Sequence, residues 1–332
     1  MLPEALLRKT MKSNSNYADG NELINSQLPK KKWYGYAIPG RFGLGHSLLA
    51  WARCFLWCTD HQVEMLAPRW HYLRIGPYLR READKRSYHT LFKKDVYVHG
   101  LKRLWILGSA KRCPSDQAPQ TLFDGSRTKI AVFENDTRDN GRFFQFILGR
   151  QDEVRSELLR IARPEHIPAQ SAQEPFIGIH VRRGDFTRVS DPAALKKTGN
   201  VQLPVEWYKD ILLSIRERAS SALPARVFSD GSAESLRCLL QLPNVSFVES
   251  RSALHDIFAL SDASVLISSP SGFSMWAAYL GQVPRVCFPN QRRHRVLAPH
   301  NTTDLEPECE AGKDVPLPFV EQFMNFIRVP KR

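Results

Sequence analysis

The chain has 332 residues, 42% hydrophobic and 24% charged, which is ordinary for a soluble globular protein and long enough for two domains. The 47 Lys and Arg residues outnumber the 34 Asp and Glu residues, and the net charge of +13 favours a polyanionic partner: nucleic acid, an acidic membrane surface or a phosphorylated substrate. The basic residues are spread along the chain without an RNA-binding or DNA-binding signature, which argues against nucleic acid.

The first structured element is predicted after a polar tail of residues 1–32, which holds at most one short helix. A strand is predicted at Trp33–Ile38, followed by the glycine loop PGRFGLG and a helix over 46–58. Such a loop lets the backbone approach a ligand and aims the first N–H groups of the helix at negative charge, so Gly43 and His46 are candidate contacts. Packing of the helix on its sheet explains the glycines equally well.

The remainder of the first half carries weaker signals. Residues 142–163 have charged residues between apolar ones at helical spacing and predict an amphipathic helix. The segment 164–175, with three prolines and no apolar run, predicts a domain boundary. Short strands are predicted at 63–66, 96–99, 104–107 and 130–133.

The second half opens with FIGIHVRRGDF at residues 176–186, which predicts a buried strand that ends in charge. A guanidinium is a planar fork that matches phosphate oxygens, and ligands collect at the carboxyl ends of strands in open α/β sheets. Arg182 and Arg183 therefore predict a phosphate site. The alternative is that one of them pairs with Asp185 and caps the strand.

Strands and helices then alternate, as expected for a parallel sheet with crossover helices. Two more strands end in polar groups, one in Ser229 and Asp230 and the other in the serines of 268–271. Because carboxyl ends of parallel strands share one edge, we expect these groups to lie near Arg182. Strands are predicted at 225–228, 245–248, 265–267 and 284–288, and helices at 204–220, 233–240, 253–260 and 273–279.

Six scattered cysteines are too few for a disulfide framework in a chain of this length and indicate a reducing compartment. Cys54 and Cys58 are interpreted as core packing. No apolar run is long enough to cross a bilayer, and residues 1–32 lack the apolar core of a signal peptide. We therefore expect a cytoplasmic protein that can act peripherally at the inner face of a membrane.

The ordered motifs HVRRGDF, LPVEWYKDIL, VFSDGSAE and HDIFALSDASVLISSPSGFSMWAAYLG resemble those of the glycosyltransferase family 11 fucosyltransferases. GRFGLGHSLLAWA and GRFFQF resemble the N-terminal glycine loop and aromatic motif of that family, so the resemblance spans most of residues 33–289. It implies an α/β fold of GT-B type, with two Rossmann-like domains facing a cleft. It also implies an inverting transfer of fucose from GDP-fucose to a glycan hydroxyl, with an α-1,2 linkage expected.

The resemblance also implies roles for single residues. Arg182 corresponds to the arginine that contacts the β-phosphate of the leaving GDP. His180 and Asp230 correspond to positions near the nucleoside. Ser269 and Ser271 lie where the family places hydroxyl and backbone N–H groups on the pyrophosphate.

The chemistry of a nucleoside diphosphate leaving group agrees with this assignment. Its departure builds negative charge on the β-phosphate, which a metal or cationic and N–H donors must stabilise. The sequence contains no DxD motif, so no metal or other cofactor is expected and Arg182, supported by Arg183, supplies the positive charge. The general base stays open between Asp185 and His46, with Asp185 favoured as a group that orients the arginines.

The predicted organisation is a tail (1–32), an N-terminal acceptor-side domain (33–168), a nucleotide-sugar domain (169–312) and a C-terminal helix and tail (313–332). The third motif departs from the family pattern through Pro270 and Met275, which leaves another nucleotide sugar open as donor. A non-catalytic polyanion-binding protein of the same fold is the alternative from a different class. The partners expected are the nucleotide sugar, a glycan or lipid-linked oligosaccharide acceptor and an anionic membrane surface, but no nucleic acid.

Overall fold

The computed structural model describes most of the chain beyond residue 32. The predicted tail, the loop residues 40–42 and Asp185 lie outside the described residues. The described ranges are 33–39, 43–70, 88–115, 128–134, 144–169, 174–184, 186–189, 195, 200–292, 294–297 and 303–328.

The first half forms a parallel sheet with helices on both faces. Its strand order is β2-β1-β4-β3, and the predicted first strand and glycine-loop helix are confirmed. Gly35 of β1 leaves room for the sulfurs of Cys54 and Cys58, which are free and buried, as expected for core packing. The elements are β1 (Trp33–Ile38), α1 (Leu44–Asp60), β2 (Glu64–Leu66), α2 (Gly100–Ser109), β3 (Lys111–Pro114), β4 (Lys129–Glu134) and α3 (Gln151–Ile161).

Three predictions in this half were wrong or too long. Residues 104–107 belong to α2. Ile106 is buried and Leu107 partly buried, whereas Leu104 and Trp105 are exposed, so the apolar run has helical rather than strand periodicity. In 96–99 only Val98 pairs, through an isolated bridge to Leu66. The helix predicted over 142–163 begins only at Gln151, because Gly149 has a φ of +80° and ends the preceding turns.

The second half forms a five-stranded parallel sheet of order β7-β6-β5-β8-β9. Strands β5, β6 and β7 follow one another towards one edge of the sheet, and β8 and β9 follow towards the other edge. This is the arrangement of a doubly wound Rossmann sheet. The predicted helix over 233–240 is a 3₁₀ turn followed by one short helix. The elements are β5 (Ile177–Val181), α4 (Val205–Arg218), β6 (Ala225–Ser229), α5 (Arg237–Leu240), β7 (Val245–Val248), α6 (Ala253–Ser261), β8 (Val265–Ser268), α7 (Gly272–Gly281), β9 (Arg285–Cys287) and α8 (Leu317–Arg328).

Strand β5 is buried on both faces, which explains its unbroken apolar character. Ile177, Ile179 and Val181 pack in a cluster with α4 and α8. Gly178 turns to the other face, where a Cβ would meet the side chain of Leu266. The two parallel sheets with their helices confirm the predicted α/β fold of GT-B type.

Helix α7 joins the two halves. The Trp276 indole donates to the carbonyl of Gly45 at 2.7 Å, and the Tyr279 hydroxyl donates to the carbonyl of Ile147 at 2.6 Å. One buried cluster runs without interruption from α1 and α3 to α6 and α7. In the described part of the chain, no helix is long and apolar enough to span a membrane.

Candidate active site

The candidate site lies at the carboxyl ends of β6, β5 and β8. These three strands are neighbours in the sheet, so the predicted convergence of their polar ends is confirmed. The register aligns Val181 with Ser229 and His180 with Ser268. The strand order reverses between β5 and β8, and ligands of doubly wound sheets bind at such a switch point.

Arg182 is held by a carboxylate from the next strand. Its guanidinium lies 2.9 Å from a carboxylate oxygen of Asp230. Asp230 also accepts the backbone N–H groups of Arg183 at 2.7 Å and Gly184 at 3.0 Å. Asp230 therefore fixes both the Arg182 head group and the turn that carries it, a role that the sequence interpretation gave to Asp185.

The Arg182–Asp230 pair is reachable from solvent. The Arg182 side chain is 21% exposed and that of Asp230 is 25% exposed. The Arg182 guanidinium also lies over the ring of Phe186, 5.8 Å from its centre. A planar guanidinium that is fixed by a carboxylate and partly exposed to solvent is suited to bind a phosphate oxygen.

Two buried donors lie next to this pair: Nε of Arg183, which has no hydrogen-bond partner among the described residues, and the hydroxyl of Tyr208, which interacts with the Ser269 side chain without a hydrogen bond of normal geometry. The Arg183 side chain packs against Gly231 and reaches Gln202 with its other end, at 3.3 Å. Tyr208 comes from α4, and burial raises the pKa of its phenol above the usual range. Buried unpaired donors are costly, so their clustering beside Arg182 indicates a place for an acceptor-rich group.

His180 lies at the end of β5 and is 5% exposed. Its Nδ1 is within hydrogen-bond distance of two hydroxyls, Ser274 at 2.7 Å and Ser269 at 2.8 Å, and Phe273 stacks on its ring. Burial, assisted by the positive charge of Arg182, lowers the pKa of His180 to about 4. The imidazole is therefore neutral at physiological pH, and it holds the serine turn against β5.

The other predicted site residues lie around this centre. The Ser229 hydroxyl donates to the carbonyl of Val181 at 2.7 Å and tightens the turn after β6. Ser271 caps α7 by accepting the N–H of Phe273 at 3.3 Å. Gly43 is the residue before α1, and His46 is half-buried in the first turn of that helix.

The start of α1 is in contact with the start of α7. Gly45 packs against Gly272, the first residue of α7, so closely that a Cβ on Gly45 would lie 3.4 Å from the Gly272 backbone. Tyr88 flanks Gly43 from the opposite side. The structure thus brings the loop at the start of α1 to the start of α7, whereas the position of Asp185 lies outside the described residues.

Three residues of the site were not assigned from the sequence: Tyr208, Gln202 and Ser274. Tyr208 stands at an apolar position of a helix, where a core tyrosine gives the same pattern. Gln202 precedes the helix in a loop, and Ser274 is one of several serines in its motif. In the described residues no group of three side chains is arranged to hold a metal ion.

The comparisons with known proteins agree with this geometry. Residues 141–292 match the model of Glycosyl transferase family 11, a region that includes β5, β6, β8 and every residue of the strand-end site described above. The match covers a little under half of the chain, and this region is similar to family 11 glycosyltransferases. A search of curated proteins found no significant match to the sequence.

Solved fucosyltransferase structures are distant likenesses of this glycosyltransferase. NodZ α-1,6-fucosyltransferase co-crystallised with GDP is 16% identical, with a TM-score of 0.44, 79% of this chain and 96% of that chain being covered. Fucosyltransferase NodZ from Bradyrhizobium is 17% identical, with a TM-score of 0.38 and coverages of 78% of this chain and 95% of that chain. POFUT1 in complex with GDP is 10% identical, with a TM-score of 0.41 and coverages of 77% and 98%. At TM-scores below 0.5 these likenesses support no conclusion about activity.

Proposed function

We propose that this glycosyltransferase transfers fucose from GDP-fucose to a glycan hydroxyl, with inversion at the anomeric carbon, without a metal, and with formation of an α-1,2 linkage. The observation that carries the proposal is Arg182, which Asp230 holds at the switch point of a Rossmann sheet within the family 11 region. The linkage, the inversion and the metal independence rest on the family resemblance of the motifs.

Arg182 is proposed to bind the β-phosphate of the donor. When the bond between the sugar and the diphosphate breaks, negative charge grows on the β-phosphate oxygens, and a fixed guanidinium stabilises that charge. Arg183 and Tyr208 are proposed to supply two further buried donors, Nε of Arg183 and the Tyr208 hydroxyl. Asp230 acts through Arg182, because it accepts hydrogen bonds from the turn as well as from the guanidinium.

The start of α7 is proposed to hold the remaining pyrophosphate oxygens. Ser269 and Ser271 precede the helix, and the free N–H groups of its first turn favour negative charge. His180 is proposed to keep this turn in place and to lie near the nucleoside. The acceptor proton would pass to Asp185 or to His46, the two bases that the sequence offers.

The acceptor is proposed to be a glycan or a lipid-linked oligosaccharide at the inner face of a membrane, with the enzyme in the cytoplasm. The support is the net charge of +13, which attracts anionic headgroups over a distance of about a Debye length.

Calorimetric titration with GDP-fucose, GDP-mannose and GDP tests the donor. We expect GDP and GDP-fucose to bind and GDP-mannose to bind more weakly. A preference for GDP-mannose would replace fucose by another sugar, and absence of binding by all three would leave a non-catalytic polyanion-binding protein. The NMR coupling constant of the product's anomeric proton reports inversion, linkage analysis reports the α-1,2 bond, and turnover in excess EDTA reports metal independence.

A further inference from the structure

Helix α2 presents an apolar face to solvent. Leu101 is 85% exposed, Leu104 60% and Trp105 69%, and these are the three most exposed large apolar side chains in the described part of the chain. Positions 101, 104 and 105 share one side of a helix, whereas Ile106 on the other side is buried against the first sheet. Single exposed apolar residues are common, but a contiguous set on one helix marks a contact surface.

The surroundings of this face are basic. Residues 93–112 contain six Lys or Arg residues and one acidic residue, Asp95. Glu64 pairs with Lys102 at 3.0 Å, and both side chains remain more than half exposed. The helix itself has no acidic residue. An apolar stripe with Trp and Leu, bordered by Lys and Arg, is the composition of helices that lie in the headgroup region of anionic membranes.

A cavity of about 570 Å³ opens beside the same helix. Leu104 belongs both to the exposed face and to the cavity wall, and Arg69, Lys94, Arg103 and Trp70 line it further. No acidic side chain of the described residues is among its lining groups. The Arg103 guanidinium is fixed in the wall, because it donates to the carbonyl of Ala67 at 2.8 Å and to the hydroxyl of Tyr36 at 3.0 Å.

We propose that α2 docks on a bilayer of anionic phospholipid. Leu101, Leu104 and Trp105 enter the interface between headgroups and acyl chains, and the surrounding basic side chains contact headgroup phosphates. The cavity next to Leu104 receives one headgroup, since its basic and aromatic wall suits a phosphate on a polar body. This inference rests on the membrane contact proposed above and assigns that contact to α2. It does not depend on the proposed transfer reaction.

Sedimentation with vesicles tests the proposal in the full-length protein. Vesicles of phosphatidylcholine alone are compared with vesicles that also contain phosphatidylglycerol, for the wild type and for the double variant Leu101→Ser with Trp105→Ser. We expect the wild type to bind only the anionic vesicles. The lipid concentration at which half of the protein is bound should be about tenfold higher or more for the double variant. The matched control is Leu213→Ser, which removes an apolar side chain that is 42% exposed on α4 and should bind like the wild type.

Quenching of tryptophan fluorescence by brominated lipid gives the position of the helix. Part of the quenching should disappear in Trp105→Phe while binding persists. Equal binding by the double variant and the wild type would refute docking through α2, and equal binding to neutral vesicles would refute the anionic requirement. A dimer in light scattering that the double variant abolishes would assign the face to a second copy instead. Calorimetric binding of GDP should be the same in all variants, so loss of vesicle binding is separable from failure of the proposed transferase function.

Discussion

The carboxylate of Asp230 offers the sharpest test of the proposed mechanism. Asp230→Asn keeps the shape of the side chain and removes its charge. The carboxylate accepts three donors, the Arg182 guanidinium and the N–H groups of Arg183 and Gly184. An amide has a single acceptor oxygen, so its NH₂ must face at least one of these donors. We expect Arg182 to lose its fixed position while the strand that carries it stays folded.

The expected loss can be worked out from these contacts. An exposed ion pair contributes up to about 1 kcal/mol, and a hydrogen bond from a backbone N–H to a carboxylate contributes about 1.5–3 kcal/mol in a shielded position. The amide oxygen of Asn can keep one backbone N–H, so the loss comprises the partly exposed ion pair and one backbone bond, about 2 kcal/mol in all. If this loss is felt in the transition state, kcat/KM falls about 30-fold. Removing Arg182 itself should cost about two to three orders of magnitude, because the charge that stabilises the leaving group is then absent.

Release of GDP during transfer to an acceptor glycan measures these effects. The double variant Asp230→Asn with Arg182→Ala should be no slower than Arg182→Ala alone, since Asp230 acts through Arg182. Asp262→Asn is the control, because it breaks a surface pair with Arg155 at 3.1 Å and should leave kcat/KM unchanged. If Asp230→Asn retains wild-type kcat/KM, or if the two effects simply add, the carboxylate does not position Arg182.

Three further predictions concern the same strand ends. Gly184→Ala places a methyl group against the Asp230 carboxylate and should lower kcat/KM about tenfold, with little change in thermal midpoint, as GDP-release kinetics and a melting curve can show. The folded-state pKa of His180 is about 4, below the value near 6.5 in the unfolded chain, so stability is lost as the pH falls from 6.5 towards 4. The free energy of unfolding, measured with urea, should therefore fall between pH 7 and pH 5. The fall should be about 2 kcal/mol smaller in His180→Gln than in the wild type. Tyr208→Phe removes a buried hydroxyl that interacts with Ser269 but makes no hydrogen bond of normal geometry in the described residues, so it should change stability little and should weaken GDP binding about tenfold in calorimetry.

The strands around the site were predictable because their patterns are strong. Each of β5, β6 and β8 is a short apolar run that ends in polar residues, and alternation with helices requires the strands to be parallel. Parallel strands that follow one another through crossover helices place their carboxyl ends on one edge. The location of the proposed phosphate site therefore follows from local pattern alone.

The partner of Arg182 could not be predicted from the same pattern. Asp185 is three residues away in sequence, and Asp230 is reached only through the pairing of β5 with β6. The register that aligns Val181 with Ser229 brings Asp230 to the turn after β5, and register depends on packing across the whole sheet. The strand predicted at residues 104–107 was wrong for a related reason. A short apolar run is compatible with a strand or a helix until it is known which side chains are buried.

Helix α7 contacts the start of α1 and begins at the proposed donor site. The serine turn that contacts His180 leads directly into α7. In the second turn of this helix, the buried Trp276 indole donates to the carbonyl of Gly45. A shift of α7 in response to a bound pyrophosphate would therefore leave the buried Trp276 indole N–H unpaired or carry Gly45 with it, and the second course has the smaller cost. Because Gly45 is in the first turn of α1 beside His46, occupancy of the donor site should set the position of a residue proposed to face the acceptor. The two Rossmann sheets are thus joined where their ligands would meet.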